Sequence, residues 1–274
     1  MPVKVTNKRD NTLKAFSRLL DIMDELREKC PWDREQTMES LRPLTIEETY
    51  ELSDAILNRE GQTDKAYQDI AKELGDILLH IIFYAKIGSE QNAFTMEDVI
   101  QKLSDKLVYR HPHVFGATMV QGSGEVVENW EKLKLKEKDG NKSVLSGVPS
   151  GLPALIKAYR MQDKARAVGF DWEEREQVWD KVEEELAEFK EERKKGDSPQ
   201  MEGEFGDLLF SLVNAARLYG INPETALELT NRKFIQRFNY LEQETIKKGR
   251  SLKEMTLQEM DAIWEQAKRI TRHG

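Results

Sequence analysis

The sequence predicts an all-α protein that consists of two tandem helical bundles of about four to five helices each. Apolar residues recur at spacings of three and four along most of the 274 residues, which is the pattern of amphipathic helices. One example is the run Phe16, Leu19, Leu20 and Met23, and another begins at Val178. Alternating apolar and polar residues, which are typical of strands, do not extend over any length of the sequence. The second observation is that the sequence repeats itself.

The repeat joins two segments in the same order in each half of the chain. ELGDILLHIIFYAKI, from Glu73 to Ile87, matches EFGDLLFSLVNAARL, from Glu204 to Leu218, and IEETYEL from Ile46 matches EEELAEF from Glu183. Several matching features in one order are not expected by chance, and a long period of this kind marks a duplicated structural unit. Each copy spans roughly 110 to 130 residues, which is a normal size for a domain.

Glycine, serine and proline are frequent between the two copies, and this composition is typical of loops and linkers. We therefore predict an amino-terminal helical domain over residues 1–120, a linker over residues 121–153 and a carboxy-terminal helical domain over residues 154–274. Within the linker, the segment from Glu125 to Lys138 is predicted to form a charged helix that closes the first copy.

Charge and cysteine content exclude several classes of function. The chain has 50 acidic and 42 basic residues and a net charge of -8, so it offers no general attraction for nucleic acid or an anionic membrane. A single cysteine, Cys30, excludes a disulfide framework and a multi-cysteine zinc site, and it fits a reducing compartment. The first residues lack the apolar core of a secretion signal. We expect a cytoplasmic protein with no membrane or nucleic-acid partner.

Acidic residues in the second copy suggest a site rather than a solvated surface. The segment VEEELAEFKEE, taken alone, is more typical of an exposed helix face. In the following helix, however, Glu204, Asp207, Ser211 and Asn214 fall within one arc of about 80° on a helical wheel, and the other positions are nearly all apolar. Such a helix is predicted to be buried in a bundle, with its acids buried or at a cleft.

The first copy shows the same pattern, with Glu73, Asp76 and His80 on one stripe of an otherwise apolar helix. Burying unpaired carboxylates costs several kcal/mol each, so the site needs a basic side chain, a proton or a metal. Four carboxylates without histidine or thiolate partners are hard oxygen ligands, and they suit Mg²⁺, or Mn²⁺ in its place. The di-iron pattern Glu-x-x-His is absent from both copies.

The duplicated pattern E-E-x-x-E followed by E-x-x-D, with K-x-x-x-R and a late tryptophan, resembles the MazG family of nucleoside triphosphate pyrophosphohydrolases. The segments CPWDREQT, RHPHVFG and KARAVGFDW extend the resemblance over nearly the whole chain. It implies a homodimer of tandem helical bundles that cleaves a nucleoside triphosphate between its α and β phosphates. The products are then a monophosphate and pyrophosphate.

The resemblance also implies roles for individual residues. The implied metal ligands are four acids in each copy: Glu185, Glu188, Glu204 and Asp207, and Glu48, Glu51, Glu73 and Asp76. The implied substrate contacts are Lys181, Asn231, Lys233, Arg237 and Trp264 in the second copy, and Lys106 and Arg110 in the first. Glu184, or Glu48 in the first copy, is the candidate general base, and Glu185 is expected to be essential for catalysis.

Three questions stay open in the sequence. The resemblance assigns most hydrolysis to the second copy, but the first copy keeps every acid. A narrower enzyme that acts on dUTP, dCTP or a modified nucleotide fits the same residues, and so does a non-catalytic helical module that binds nucleotides or proteins. Trp264 fits base stacking or helix packing, whereas Trp32 and Trp172 are predicted to pack in the cores.

Overall fold

The computed structural model describes residues 7–58, 63–136, 143–196, 198–247 and 249–270, and all regular structure within these ranges is helical. The predicted all-α class is confirmed. The chain forms two compact units, Met1–Thr118 and Met119–Gly274. No helix in the described ranges is both long and apolar enough to cross a membrane.

The first unit contains four long helices and two short ones in its described part. They are α1 (Asn7–Lys29), α2 (Pro31–Glu35), α3 (Met38–Leu57), α4 (Asp64–Glu90), α5 (Met96–Arg110) and α6 (Pro112–Phe115). Threonine is the N-cap residue of both α3 and α4. Thr37 and Ser40 form a capping box on α3, and the Thr63 side chain accepts a hydrogen bond from the backbone N–H of Ala66 on α4. These caps satisfy N–H groups that have no partner within the helix.

The described part of the second unit contains six α-helices and two short 3-10 helices, Leu145–Gly147 and Leu252–Glu254. The α-helices are α7 (Ser123–Lys136), α8 (Ala154–Arg166), α9 (Gln177–Lys195), α10 (Ser198–Leu218), α11 (Pro223–Lys247) and α12 (Leu257–Ile270). Helix α9 ends at Gly196, whose φ of 77° is the left-handed conformation that glycine adopts without strain. Helix α7 lies in the stretch predicted as a linker, and the structure groups it with the second unit. Its predicted end at Lys138 lies outside the described residues.

Each unit is organised around one pair of extensively packed helices, α3 with α4 in the first unit and α9 with α10 in the second. These two pairs are the duplicated segments of the sequence. The core of the first unit contains Met23, Leu41, Ile82, Phe83 and Ile87, and that of the second contains Val178, Val182, Leu208 and Ala215. The helix pairs therefore hold both the apolar core and the acidic residues of each copy.

Large apolar side chains outside these cores remain exposed. On α10, Phe205 is 48% exposed, Leu209 42% and Leu212 40%. The prediction that α10 is enclosed on its apolar faces is therefore wrong for a single chain, because the helices around it cover only part of its surface. Trp32 and Trp172 are also exposed rather than packed in a core, so that prediction is wrong as well.

A largely buried arginine connects three helices of the first unit. Arg27 on α1 donates to both carboxylate oxygens of Glu90 at the end of α4, at 3.0 and 2.5 Å. It also donates to the backbone carbonyls of Asp33, within α2, and of Gln36, which directly follows that helix. Its guanidinium lies 5.6 Å from the ring centre of Phe83, a core residue. These contacts anchor α1 beside the helix that carries the acidic stripe.

Replacing Arg27 with methionine is expected to lower the free energy of unfolding by about 2–4 kcal/mol, since Glu90 and two carbonyls lose their donor. The hydrogen bond from Arg27 lowers the pKa of Glu90, so this pair stabilises the protein above the ordinary pKa of glutamate. That contribution should be lost as the pH falls through the lowered pKa. Urea unfolding at several pH values measures both effects.

The matched control is Lys29→Met, because Lys29 lies on the same helix and pairs with Glu25 where both side chains are largely exposed. The control should change stability by less than about 0.5 kcal/mol. Equal losses in the two variants would contradict the role given to Arg27.

Candidate functional site

The first acidic cluster lies between α3 and α4. Glu48 on α3 and Glu73 and Asp76 on α4 can each present one carboxylate oxygen so that all three oxygens lie within 4.8 Å of one another. Glu73 is only 9% exposed, and its Oε2 atom is buried without a hydrogen-bond partner among the described residues. A buried oxygen of this kind requires a cation or a donor, since desolvation without a partner is costly.

The second acidic cluster occupies the corresponding place between α9 and α10. Glu185 and Glu188 on α9 and Glu204 on α10 also present oxygens within 4.8 Å of one another. Glu185 is buried, Glu204 is half-buried and Glu188 is exposed. The duplicated sequence therefore places three carboxylates together in each copy, from both helices of the pair.

Each cluster also contacts a lysine. Lys72 lies with its Nζ 2.9 Å from Glu73 Oε1 and 3.4 Å from Asp76 Oδ2. In the second copy, Lys181 lies 2.9 Å from Glu184 and 2.8 Å from Glu185. Hydrogen bonds to these acids raise the pKa of both lysines, which keeps them charged at neutral pH.

Burial and the proximity of like charges raise the pKa values of two of the clustered acids. Burial raises the pKa of Glu48, and the neighbouring carboxylates of Glu51, Asp76 and Glu73 raise it further. The pKa of Glu204 is raised for the same two reasons, first desolvation and then its acidic neighbours. Both shifts have desolvation as their main cause, and the neighbouring negative charges add to it.

A buried polar network adjoins the first cluster. The hydroxyl of Thr45 lies 2.9 Å from His80 Nδ1 and 2.7 Å from the hydroxyl of Tyr84, and it donates to the carbonyl of Leu41. Burial lowers the pKa of His80, an effect that Asp76 partly offsets, so the imidazole is neutral at neutral pH. Thr45 and His80 each lie about one helical turn from an acid of the cluster, Glu48 and Asp76.

Several predicted site residues lie outside the two groups of three. Glu51 and Asp207, which complete the predicted sets of four ligands, are both exposed. Glu184, the candidate general base, is exposed and is held by Lys181. In the first unit, Lys106 is exposed on α5, and Arg110 is half-buried at the end of that helix.

The other predicted substrate contacts of the second copy lie on α11 and α12. Lys233 and Arg237 are one turn apart on α11, and Asn231 on the same helix donates to Glu228 at 3.4 Å. Trp264 on α12 contacts Phe234, with ring centres 5.2 Å apart. Phe234 follows Lys233 directly and is 56% exposed, so an aromatic pair adjoins the two cations.

Sequence reasoning missed Lys72 and the partners of His80. The signal for Lys72 was present, because a lysine four residues before Asp76 shares its helix face. The contacts of Thr45 and Tyr84 with His80 depend on how α3 packs on α4, and one sequence does not contain that geometry. Phe234 was missed because its contact with Trp264 joins two helices.

The donor sets fit a hard divalent cation. Both clusters offer carboxylate oxygens from two helices, and the described residues near them add no thiolate. Such oxygen sets suit Mg²⁺, Mn²⁺ or Ca²⁺ better than zinc. The unsatisfied Glu73 Oε2 is the atom that most clearly lacks a positive partner.

Comparison with known proteins matches both copies to one family. Residues 36–115 and 173–241 match the MazG nucleotide pyrophosphohydrolase domain. The chain is 46% identical over 257 residues to a Thermotoga maritima protein named nucleoside triphosphate pyrophosphohydrolase/pyrophosphatase MazG, covering 92% of this chain and 95% of that protein. It is 39% identical to the Escherichia coli nucleoside triphosphate pyrophosphohydrolase, covering 94% of this chain and 98% of the other. Both helix pairs fall within the matched segments.

A third relative differs in length. The Bacillus subtilis protein YabN is 46% identical over 265 residues, which are 94% of this chain but only 53% of YabN. The tandem arrangement thus also occurs as part of a longer protein.

Replacing Glu48 with glutamine is expected to raise the midpoint of thermal unfolding in EDTA at pH 7. Because the folded state raises the pKa of Glu48, its carboxylate costs stability above that raised pKa and costs nothing below the ordinary pKa of glutamate. The gain should therefore be largest near neutral pH and disappear in acid. Calorimetry at several pH values, with the exposed Glu28→Gln as control, measures this. A loss of stability at pH 7 would contradict the proposed repulsion.

Proposed function

The chain belongs to the MazG family of nucleotide pyrophosphohydrolases, and from that premise we propose how its two acidic clusters act on a nucleoside triphosphate. It is a hydrolase of phosphorus-containing acid anhydrides. The proposed cleavage lies between the α and β phosphates and releases a nucleoside monophosphate and pyrophosphate. The observation that carries this proposal is the presence of three carboxylates within 4.8 Å in each helix pair.

Mg²⁺, or Mn²⁺ in its place, is the proposed cofactor. Glu185, Glu188 and Glu204 would hold it in the second copy, with Asp207 one turn further along α10. In the first copy, Glu48, Glu73 and Asp76 would hold it, with Glu51 nearby; by the repeat, Asp76 corresponds to Asp207 and Glu51 to Glu188, so the two groups differ in one member. When bound, a divalent cation neutralises phosphate oxygens and activates water for attack on phosphorus. The acids themselves hold that charge at a fixed place between two packed helices.

A carboxylate must accept the proton of the attacking water. Glu184 is the candidate in the second copy, because it adjoins Glu185 but lies outside the group of three. Lys181 holds the carboxylates of both residues and thereby fixes their side chains. In the first copy the candidate is Glu48, which is also a member of that copy's group of three.

Cationic and aromatic side chains on α11 and α12 support a nucleotide as substrate. Lys233 and Arg237 share a face of α11, and an arginine can bind two phosphate oxygens at once. The rings of Phe234 and Trp264 are inclined by 57°, and either ring could offer a face for a base beside these cations. We propose that Lys181 and Asn231 add contacts in this copy and that Lys106 and Arg110 serve the first.

A homodimer is proposed for a separate reason. The apolar face of α10 that includes Phe205, Leu209 and Leu212 is exposed in one chain, and Leu74 and Ile81 on α4 are exposed in the first unit. Large exposed apolar patches usually mark an interface, because their contact with water is unfavourable. A second copy of the chain would cover the same surfaces by symmetry.

Replacing Glu185 with glutamine is expected to reduce the rate of pyrophosphate release about 100-fold or more, since a ligand is lost at unchanged size. The control is Glu183→Gln, an exposed neighbour on α9 that faces away from the cluster's acids. Nucleotides and phosphates separated by ion-exchange chromatography identify the products for a panel of NTPs and dNTPs. Nucleoside diphosphate and orthophosphate as products would refute cleavage between α and β.

Replacing Leu209 with aspartate is expected to convert the dimer into a monomer, because a carboxylate then lies in an apolar contact. Size-exclusion chromatography with light scattering measures the mass. Ile246→Asp on α11 is the control, since Ile246 is 73% exposed and lies outside the α9–α10 pair. A wild-type protein of monomeric mass at micromolar concentration would dismiss the proposed dimer.

A further inference from the structure

Lys72 lies on two of the three carboxylates of the first cluster. Its ammonium is 2.9 Å from Glu73 and 3.4 Å from Asp76. The lysine side chain is nevertheless 66% exposed, so it reaches the cluster from the solvent side. The ammonium group of Lys72 therefore forms ion pairs with carboxylates that a metal ion would need as ligands.

The lysine satisfies only part of the cluster. Glu73 is 9% exposed, and while its Oε1 contacts Lys72, its Oε2 has no hydrogen-bond partner among the described residues. A divalent cation binds several carboxylate oxygens at once. The unpartnered oxygen thus indicates a further cation of higher charge in the same place.

The second copy carries its lysine on the opposite helix. The residue before Glu204, which corresponds to Lys72 before Glu73, is Gly203. The internal cation there is Lys181 on α9, which contacts Glu184 and Glu185. Lys181 thus touches one member of its group of three, whereas Lys72 touches two members of the first group.

The position of Lys181 is also changed in the first copy. By the repeat it corresponds to Leu44, which packs against the core of the first unit. The lysine that contacts the acids therefore lies on the second helix of the pair in the first copy, as Lys72 on α4, and on the first helix of the pair in the second copy, as Lys181 on α9. As a result, the two lysines contact different carboxylates of their clusters.

We infer that Lys72 is a tethered counter-ion that competes with the divalent cation for Glu73 and Asp76 and makes the first copy the weaker metal site. The inference rests on the proposed metal dependence. A metal bound to these oxygens would repel the ammonium, which must then move into solvent. An exposed side chain does so at little cost, and a lysine that precedes an acid by four residues is the weaker orientation of such a pair.

Manganese binding to the full-length chain tests this inference. In a background of Glu185→Gln and Glu188→Gln, which disables the second cluster, isothermal titration with Mn²⁺ reports the first cluster. Adding Lys72→Gln is expected to tighten binding about three- to fivefold, the range for an exposed ion pair. The gain should shrink at high ionic strength, where exposed charges are screened.

Lys65→Gln is the matched control. Lys65 is exposed on the same helix two turns earlier, and its replacement makes the same change in net charge. If Lys65→Gln tightens Mn²⁺ binding as much as Lys72→Gln, the effect comes from net charge, and the inference is overturned.

The reciprocal variant places a lysine in the second copy. A side chain at Gly203 meets open space, since no atom lies within 4 Å of an added Cβ. With the first cluster disabled by Glu48→Gln and Asp76→Asn, Gly203→Lys is expected to weaken Mn²⁺ binding at the second cluster about three- to fivefold relative to Gly203→Gln. Glutamine controls for size and helix propensity.

The possible failures are distinguishable. Unchanged or weaker Mn²⁺ binding in Lys72→Gln, while both clusters still bind the ion, overturns the competition and leaves the proposed function in place. Absence of Mn²⁺ binding at both clusters of the unmodified chain overturns the proposed metal dependence and this inference together.

Discussion

Two packed helices in each copy hold carboxylates together, and the desolvation and mutual repulsion of these groups govern the chemistry of both sites. In each copy, three acids meet beside an apolar core, and one of them, Glu73 or Glu185, is buried there. Desolvation, and then the neighbouring carboxylates, raise the pKa values of Glu48 and Glu204. The fold tolerates this cost because the helix pairs pack extensively around it, and a functional site is the usual reason to retain such a cost.

The two copies resolve the same constraint differently. Thr45, His80 and Tyr84 form a polar network between α3 and α4. At the corresponding positions of the second copy, Val182 and Ala215 belong to the apolar core, and Ser211 bonds to its own helix. The lysine that contacts the acids also lies on a different helix of the pair in each copy, Lys72 on α4 and Lys181 on α9. Duplication has therefore preserved the acids while their surroundings diverged.

Sequence reasoning predicted the helical class, the repeat and the acid pairs, because helical periodicity places Glu73 with Asp76 and Glu185 with Glu188 on shared faces. It could not select which of the four acids meet, since Glu51 and Asp207 lie outside the groups of three while Glu188, which is also exposed, lies inside one. It also predicted that α10 is enclosed, whereas Leu209 is exposed, because apolar periodicity does not say whether the covering surface belongs to the same chain. The boundaries of the predicted domains stay predictions.

Crystals grown with saturating Mn²⁺ show whether the acidic clusters hold a divalent cation, because anomalous scattering locates manganese without reference to the protein atoms. We expect one anomalous peak between α3 and α4, bound by Glu48, Glu73 and Asp76, and another between α9 and α10, bound by Glu185, Glu188 and Glu204. Ordered carboxylates at both places with no anomalous peak would contradict this expectation, since the acids would then persist without the divalent charge that they are proposed to hold.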